Sequence, residues 1–322
     1  MSLTADLTTN LSPPSRVREA GVDSARFLWH LTDERHQEHA AALTMNGAVG
    51  LDGLNVGYFP AYEMLWVEGR PVQAINGEGC HDLLPASAVG DAHRAIEKAV
   101  ADRWGYRGKE LGVSRIDVTA TLEFNRPADG WAMLRGLGAL DAPRRKAAIY
   151  LDQSGRRPET VYWMTGRGAK KERAYDKGAE AGIAAPGHLV RLEAQTRWTK
   201  QNRRAVGAWK MEDVRSTFEQ RFAPMARAAE GVKVCSEITL REQVRDMVNR
   251  DIVTPTKAQD LLGYIASESV GIHTPARTAQ RRRADLRRLG LLHALDGLES
   301  AAEPLDVPLG ELLAEAVVSD RW

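Results

Sequence analysis

Cysteine is scarce in this sequence: the 322 residues include only Cys80 and Cys235. Two cysteines this far apart in the chain do not form the framework of a disulfide-rich fold, and their spacing fits no zinc-binding pattern. The low cysteine content is typical of a protein from a reducing compartment. We therefore expect a cytoplasmic location.

Long apolar runs are missing as well. The sequence has no stretch of about 18 apolar residues, the minimum for a transmembrane helix. Its first residues are polar and lack the apolar centre of a secretory signal peptide. The sequence therefore predicts neither export nor a membrane span, and residues 1–18, rich in Ser, Thr and Pro, are predicted to be a disordered leader.

Net charge is almost absent, because 44 Lys and Arg stand against 43 Asp and Glu. The charges are unevenly placed, however. Residues 144–210 contain 16 Lys and Arg against six Asp and Glu, a local excess of ten positive charges. A compact surface of that sign is typical of proteins that bind a phosphate backbone. The alternatives at this point are DNA, RNA, or a solvated basic face without a ligand.

Short apolar runs alternate with helical patterns over most of the chain. Residues 114–124 alternate apolar and polar side chains as a half-buried strand does, and residues 87–104 show the period of a helix. We therefore predict an α+β fold with an antiparallel sheet and flanking helices. After about residue 230 the strand pattern stops and three helices follow, which predicts a small all-α domain.

These patterns divide the chain into four parts. The predicted boundaries are a disordered leader at 1–18, a main domain at 19–232, a helical domain at 233–295 and an acidic tail at 296–322. The sequence does not reveal what the tail packs against.

Three predicted strands carry several polar side chains on one face each. Alternation places together the sets Arg115, Asp117, Thr119, Thr121 and Glu123; Arg173, Tyr175 and Lys177; and Arg191, Glu193, Gln195 and Arg197. A carboxylate on a half-buried strand needs a partner, so we expect several of these side chains to meet around one sheet.

The carboxylates in these sets are candidate metal ligands. Asp117 and Glu193, with Glu123 as a third candidate, offer the oxygen atoms that Mg²⁺ or Mn²⁺ prefer. The alternative is that these acids form salt bridges with neighbouring arginines.

Tyr175 is the candidate nucleophile. A phenol has a pKa of about 10, so at neutral pH it needs nearby positive charge and an activated electrophile. Lys177 and Arg173 share its strand face and would favour the phenolate and the charged transition state of attack on a phosphate. The alternative is that Tyr175 is an ordinary strand residue, since tyrosine favours β-structure.

Several short blocks resemble, in the same order, the replication initiators of filamentous phages, the gene II/X-like group, and related rolling-circle plasmid initiators. The blocks are Gly21-Val22-Asp23-Ser24, Glu68-Gly69-Arg70-Pro71 with Asn76-Gly77, Arg115-Ile116-Asp117, Tyr175-Asp176-Lys177 with Glu180, Arg191-Leu192-Glu193, Lys257 to Leu262, and Gln280 to Gly290. The resemblance runs from about residue 20 to residue 292.

This resemblance implies a rolling-circle DNA replication initiator that nicks one strand at an origin and stays joined to the 5′ end through Tyr175. It implies a relaxase-like nuclease fold for the main domain, Asp117 and Glu193 as ligands of Mg²⁺ or Mn²⁺, single-stranded and supercoiled origin DNA as substrate, and a host replicative helicase as partner. A homodimer is compatible with this interpretation. Related relaxases bind metal through a His-hydrophobic-His pair, which this sequence lacks, so carboxylates would replace it.

Basic side chains on the sheet and on the last predicted helix of the helical domain are the candidate DNA contacts. They are Arg115, Lys170, Lys171, Arg191, Arg197, Arg281 and Arg282. The last helix and the one before it resemble a helix-turn-helix arrangement.

Two rival functions use the same basic surface without catalysis. One is an origin- or operator-binding protein, such as a repressor or copy-control protein, which needs no Tyr175. The other is an RNA-binding protein, which Trp163, Trp198 and Trp209 in the basic region would suit.

Overall fold

The computed structural model describes most of the chain. The described residues are 16–140, 146–153, 157–164, 170–182, 184–198, 203, 205–206, 210–230, 232–235, 237–269, 274–289, 291–293 and 308–322. The first strand begins at Val17 and so overlaps the last two residues of the predicted leader, and residues 1–15 lie outside the described part.

Within the described residues, nine strands form one antiparallel sheet. They are β1 (Val17–Leu31), β2 (Val49–Leu51), β3 (Leu54–Phe59), β4 (Met64–Gly69), β5 (Gly108–Glu123), β6 (Lys146–Leu151), β7 (Pro158–Met164), β8 (Lys170–Asp176) and β9 (Leu189–Arg197). Their order in the sheet is β2-β3-β4-β1-β5-β9-β8-β7-β6. The prediction of an α+β fold built on an antiparallel sheet is confirmed.

Helices cover the apolar face of this sheet. Those in the first part of the chain are α1 (Glu34–Leu43), α2 (Gln73–Asn76), α3 (Val89–Trp104), α4 (Pro127–Ala139), α5 (Lys177–Ala181) and α6 (Met211–Ala228). On β5, Ile116, Val118 and Leu122 are fully buried in the same core as Phe218 of α6 and Leu134 of α4. The alternation of β5 thus leaves its other face to the polar residues.

A second hydrophobic cluster lies in the region after residue 232. It involves α7 (Glu237–Asn249), α8 (Pro255–Ser269) and α9 (Ala276–Arg288), the three helices that the sequence predicts there. Two short strands, β10 (Lys233–Cys235) and β11 (Leu291–His293), also pair in parallel. A purely helical domain is therefore not confirmed, because the two ends of this region pair through their backbones.

The C-terminal segment belongs to the main core. Helix α10 (Leu309–Val318) packs on α6, and the Trp322 ring lies 4.8 Å from the Phe218 ring, centroid to centroid. The acidic residues of the predicted tail alternate here with buried Leu312 and Leu313. Among the described helices, none is both long and apolar enough to cross a membrane.

Candidate active site

The polar faces predicted from the sequence meet in the middle of the sheet. Cross-strand neighbours form three rows over β5, β9 and β8: Asp117–Gln195–Lys171, Thr119–Glu193–Arg173 and Thr121–Arg191–Tyr175. Side chains directly opposite each other in such rows have Cβ atoms about 5 Å apart. The register therefore brings the candidate nucleophile and two candidate metal ligands onto one small patch.

Tyr175 lies inside this patch with only 3% of its surface exposed. Its hydroxyl has no hydrogen-bond partner within the described part of the chain, and the Arg173 guanidinium lies 4.5 Å from its ring centroid. Burial, reinforced by the charges of Asp23 and Glu193, raises the pKa of Tyr175 well above its ordinary value, against the opposing effect of Arg191 and Arg173. The phenol is therefore protonated in the isolated protein, and nucleophilic attack requires additional positive charge near its oxygen.

Asp117 and Glu193 are both buried, and each has an arginine partner. Asp117 accepts a hydrogen bond from Ser24 Oγ at 2.6 Å and also pairs with Arg115. Glu193 accepts a hydrogen bond from Arg173 at 2.6 Å. Burial and the repulsion of Asp117 raise the pKa of Glu193 to about 7 although Arg173 lowers it. A buried carboxylate that is destabilised by a second carboxylate nearby is a favourable ligand for a cation.

Two neutral oxygens beside these carboxylates are buried without a partner. Thr119 Oγ1 and Gln195 Oε1 form no hydrogen bond in the described part of the chain, while Gln195 Nε2 donates to Asp117 Oδ2 at 3.5 Å. Unpartnered buried oxygens are rare, because leaving one unsatisfied costs about 1–3 kcal/mol.

These oxygens fit a hard divalent cation. Asp117, Glu193, Thr119 and Gln195 together offer only oxygen donors, as Mg²⁺ and Mn²⁺ prefer. The described residues contain no cluster of three or more Asp, Glu, His and Cys side chains placed to hold a metal. A cation here would thus depend on two carboxylates supplemented by neutral oxygens.

Glu123, the third predicted ligand, lies elsewhere. It is exposed at the end of β5 and pairs with Arg18 at 3.5 Å. Six residues of strand separate it from Asp117, a distance of about 20 Å. Strand alternation puts both residues on one face, but the length of β5 keeps them apart.

Arg191 is predicted from the sequence to contact DNA, but it lies in the interior of the protein. Its side chain is fully buried, and it donates to Thr121 Oγ1 at 3.0 Å and to Asp23 Oδ1 at 2.9 Å. It lies opposite Tyr175 in the strand register. Arg191 therefore supplies fixed positive charge beneath the tyrosine, and a buried guanidinium held by acids cannot reach a phosphate at the surface.

Lys177 begins α5 directly after β8. Its ammonium group is buried, pairs with Glu180 at 2.5 Å and lies 5.9 Å from the Tyr175 ring centroid. Burial lowers the pKa of Lys177. Asp176 has a structural role between them, since its carboxylate accepts from Ala179 N at 3.0 Å and from Gly187 N at 2.6 Å. In the Tyr-Asp-Lys block, Tyr175 therefore lies near the end of β8, Asp176 caps α5 and Lys177 is a buried cation.

The other basic candidates on the sheet differ in ion pairing and in solvent exposure. Arg115 pairs with Glu68 and Asp117, so its charge is already balanced. Lys171 is half-buried in the row of Asp117, and Arg197 is exposed at the end of β9. The side chain of Lys170 lies outside the described part. Arg197 is therefore the sheet candidate best placed to meet a phosphate.

The two candidates on α9 also differ. Arg281 is exposed. Arg282 pairs with Asp260 at 2.5 Å and lies 3.9 Å from Asp285, with 11% of its side chain exposed. Arg282 therefore joins α9 to α8, which differs from its predicted role as a DNA contact.

Asp23 and Ser24 belong to the site but have no predicted role. A bulge in β1 between Val22 and Ser24 lets Asp23 reach Arg191 while Ser24 reaches Asp117. Strict alternation would put two successive residues on opposite faces, so only the bulge allows both to contribute. The sequence signal was the Gly21-Val22-Asp23-Ser24 block, which carried no chemistry by itself.

Comparison with known proteins finds a similarity to a solved structure but no match to a family model. No family model matches the chain, and no curated protein matches it. A solved structure described as a rolling circle replication initiator protein from Geobacillus stearothermophilus is similar at 15% sequence identity, covering 56% of this chain and 74% of that chain with a TM-score of 0.29. A TM-score this low does not establish a common fold, so the functional assignment depends on the geometry of the site.

Proposed function

We propose that this protein is a rolling-circle DNA replication initiator, a metal-dependent endonuclease and strand transferase that nicks and rejoins one strand at an origin. The observation that carries the proposal is the Tyr175 hydroxyl, which is buried without a hydrogen-bond partner in the described part of the chain, within the influence of the charges of Arg173, Arg191, Asp23 and Glu193. An ordinary core tyrosine would hydrogen-bond its hydroxyl or expose it to water. A nucleophilic tyrosine can lack a hydrogen-bond partner in the isolated protein, because its hydroxyl finds its partners only when substrate and cation are bound.

The proposed reaction is a transesterification. The Tyr175 hydroxyl gives up its proton and its oxygen forms a bond to the scissile phosphorus, the bond from phosphorus to the 3′ oxygen breaks, and that oxygen leaves with the electron pair and takes up one proton, so that no net proton is gained or lost. The product is a 5′-phosphotyrosine, and the reverse reaction rejoins the strand without an external energy source.

Each neighbouring residue has a role in this reaction. Arg173 stabilises the phenolate and the developing phosphorane charge, and the buried Arg191 stabilises the phenolate. Asp117 and Glu193 would hold a divalent cation, with Thr119 and Gln195 as additional oxygen donors, and the cation would polarise the scissile phosphate. Lys177 adds a buried ammonium group 5.9 Å from the centroid of the tyrosine ring.

The test is a denaturing gel of protein incubated with single-stranded and supercoiled origin DNA, with Mn²⁺ or with chelator. We expect a metal-dependent protein–DNA adduct that Tyr175→Phe abolishes. Tyr58→Phe, a buried tyrosine on β3, is the matched control and should form the adduct normally.

Salt-sensitive DNA binding without an adduct under any metal would instead support a non-catalytic origin- or operator-binding protein. A host replicative helicase and a second copy of the chain are the partners that we propose for the initiator, and co-purification on origin DNA would test both.

A further inference from the structure

A cavity of about 720 Å³ lies on the sheet at some distance from the candidate active site. Its lining includes His30, Tyr62, Glu63, Met64 and Arg203. Cavities of about 300–1,000 Å³ are the usual size for small-molecule sites. Nothing in the proposed nicking reaction uses this cavity.

The cavity lies on the same sheet face as the candidate active site. Ser24, which contacts Asp117, and Arg26, which pairs with Glu68, share a face of β1 with His30. Six residues of strand separate Ser24 from His30, a distance of about 20 Å. A single strand of DNA that crosses this face from Tyr175 past Asp117 and Ser24 can therefore reach the cavity.

Arg203 is the cationic group of the cavity. Among the described residues, its Nε is buried without a hydrogen-bond partner, and its Nη1 contacts Met64 Sδ, a weak acceptor, at 3.6 Å. In the described part of the chain it forms no ion pair, and burial lowers its pKa. A guanidinium with unused donors in a cavity is suited to bind a phosphate oxygen.

Tyr62 is the aromatic group of the cavity, and 71% of its surface is exposed. It ends the tight 3₁₀ turn Pro60–Tyr62, and the next residue, Glu63, adopts a left-handed conformation with φ of 51°. The backbone of this turn is fixed to β1, because Leu31 N donates to Glu63 O at 3.0 Å. An exposed ring carried by an anchored turn is a stacking platform for an unpaired base.

Glu63 and His30 form the polar edge of the cavity, with His30 Nε2 and Glu63 Oε2 3.0 Å apart. A carboxylate in this position accepts hydrogen bonds from the exocyclic amino group of a base such as cytosine. It also repels a phosphate, which therefore has its favourable position at Arg203.

We propose that this cavity binds one unpaired nucleotide of the DNA strand whose scissile phosphate lies at Tyr175. The base stacks on Tyr62 and the phosphate pairs with Arg203. The inference rests on the proposed function for its choice of DNA as the ligand.

The test is fluorescence anisotropy with a labelled single-stranded oligodeoxycytidylate in the presence of chelator, so that binding is measured without cleavage. We expect Tyr62→Ala and Arg203→Gln each to weaken binding about 10-fold, the usual loss for one stacked base or one phosphate contact. Tyr62→Phe keeps the ring and should bind normally. Arg94→Gln on α3 removes an exposed arginine elsewhere and controls for the loss of one charge.

The possible results separate the two proposals. If Tyr62→Ala and Arg203→Gln bind the oligonucleotide as Arg94→Gln does, the nucleotide cavity is overturned, whether or not the Tyr175 adduct forms. If both variants bind 10-fold more weakly and Tyr62→Phe does not, the cavity is supported even where no adduct forms and nicking is rejected. Equal losses for Tyr62→Ala on single-stranded and duplex DNA would also overturn it, because paired bases cannot enter the cavity.

Discussion

At the scale of single residues, Asp117 and Glu123 illustrate how position on one strand face can mislead. Both carboxylates belong to the same polar face of β5, yet only Asp117 lies next to Glu193, while Glu123 pairs with Arg18 at the strand end. Two unpartnered oxygens, on Thr119 and Gln195, replace it in the candidate metal site.

This difference predicts how the metal-free protein binds Mn²⁺. Asp117→Asn removes a negatively charged ligand, and we expect the affinity measured by calorimetric titration to fall at least about 10-fold. Glu123→Gln is the matched control and should bind Mn²⁺ as the parent does. A loss of affinity in Glu123→Gln equal to that in Asp117→Asn would contradict the proposed ligand set.

His93 gives a prediction about pH that is independent of the active site. It is buried on α3, where its ring stacks on Trp29 with centroids 5.1 Å apart, and burial lowers its pKa. The unfolded chain therefore takes up a proton near pH 6.5 that the folded protein resists, so stability is present above that pH and is lost as the pH falls. We expect His93→Gln to lose less free energy of unfolding than the parent between about pH 7 and pH 5, as measured by urea denaturation.

A control variant tests whether this effect belongs to His93. His81 is exposed, so His81→Gln should keep the pH dependence of the parent. If His93→Gln shows the same pH dependence as the parent, the buried neutral histidine is not its source.

At the scale of elements, α4 is fixed against the loop that precedes β9. A Cβ atom added to Gly130 of α4 would lie 2.0 Å from the carbonyl oxygen of Gly187. Gly187 N in turn donates to Asp176, which caps α5. The close approach of helix and loop therefore supports the Tyr-Asp-Lys block.

Two glycine substitutions separate this contact from helix propensity. Gly130→Ala forces the helix away from the loop, and we expect the free energy of unfolding to fall by about 1–3 kcal/mol. Gly263 of α8 has open space around its Cβ position, so Gly263→Ala should raise stability by about 0.5–1 kcal/mol. Thermal unfolding of both variants measures the difference, and a Gly130→Ala protein as stable as the parent would refute the close contact.

The interface of α8 and α9 depends on a buried carboxylate. Asp285 is 6% exposed and pairs with Lys257, Arg282 and Arg288. Some of the arginines of the basic helix α9 therefore form ion pairs within the protein.

Neutralising this carboxylate should loosen the interface. We expect Asp285→Asn to lower the free energy of unfolding by about 1–3 kcal/mol, because the largely buried Arg282 and the half-exposed Lys257 lose a buried charged partner. Asp260→Asn changes a half-exposed acid whose one ion pair among the described residues is with Arg282, and its effect should stay below about 1 kcal/mol. Denaturant titration followed by circular dichroism distinguishes the two, and equal effects would argue against a central role for Asp285.

At the scale of the whole molecule, the last helix, α10, packs into the hydrophobic core of the large sheet, which is built mostly from the first part of the sequence. Helix α10 places Leu309, Leu312 and Leu313 in the core that contains Phe218 and Phe222 of α6. The chain thus leaves the main core after α6 and returns to it.

This return predicts that the C-terminal segment stabilises the sheet. Leu312→Ala removes a fully buried side chain, and we expect a loss of about 2–5 kcal/mol in the free energy of unfolding. Glu311→Ala changes an exposed neighbour and should stay within about 0.5 kcal/mol of the parent. A small effect of Leu312→Ala, measured by urea denaturation, would mean that α10 does not contribute to the main core.

The sequence by itself determined which residues could face each other. Alternation in β5, β8 and β9 is a local property of the chain, so it correctly assigned Asp117, Glu193, Arg173 and Tyr175 to polar faces. The apolar halves of the same strands predicted the antiparallel sheet with its covering helices. These features follow from the near neighbours of each residue and need no knowledge of distant ones.

Only the tertiary structure decided which of those residues meet. Strand register places Glu193 beside Thr119 and Arg173, and a bulge in β1 brings Asp23 to Arg191. Register and bulges depend on the packing of strands from distant parts of the sequence, and the return of α10 depends on an apolar surface of α6 that no local pattern specifies. For that reason the candidate nucleophile could be chosen from the sequence, while its buried arginine and the separation of Glu123 became visible only in the folded chain.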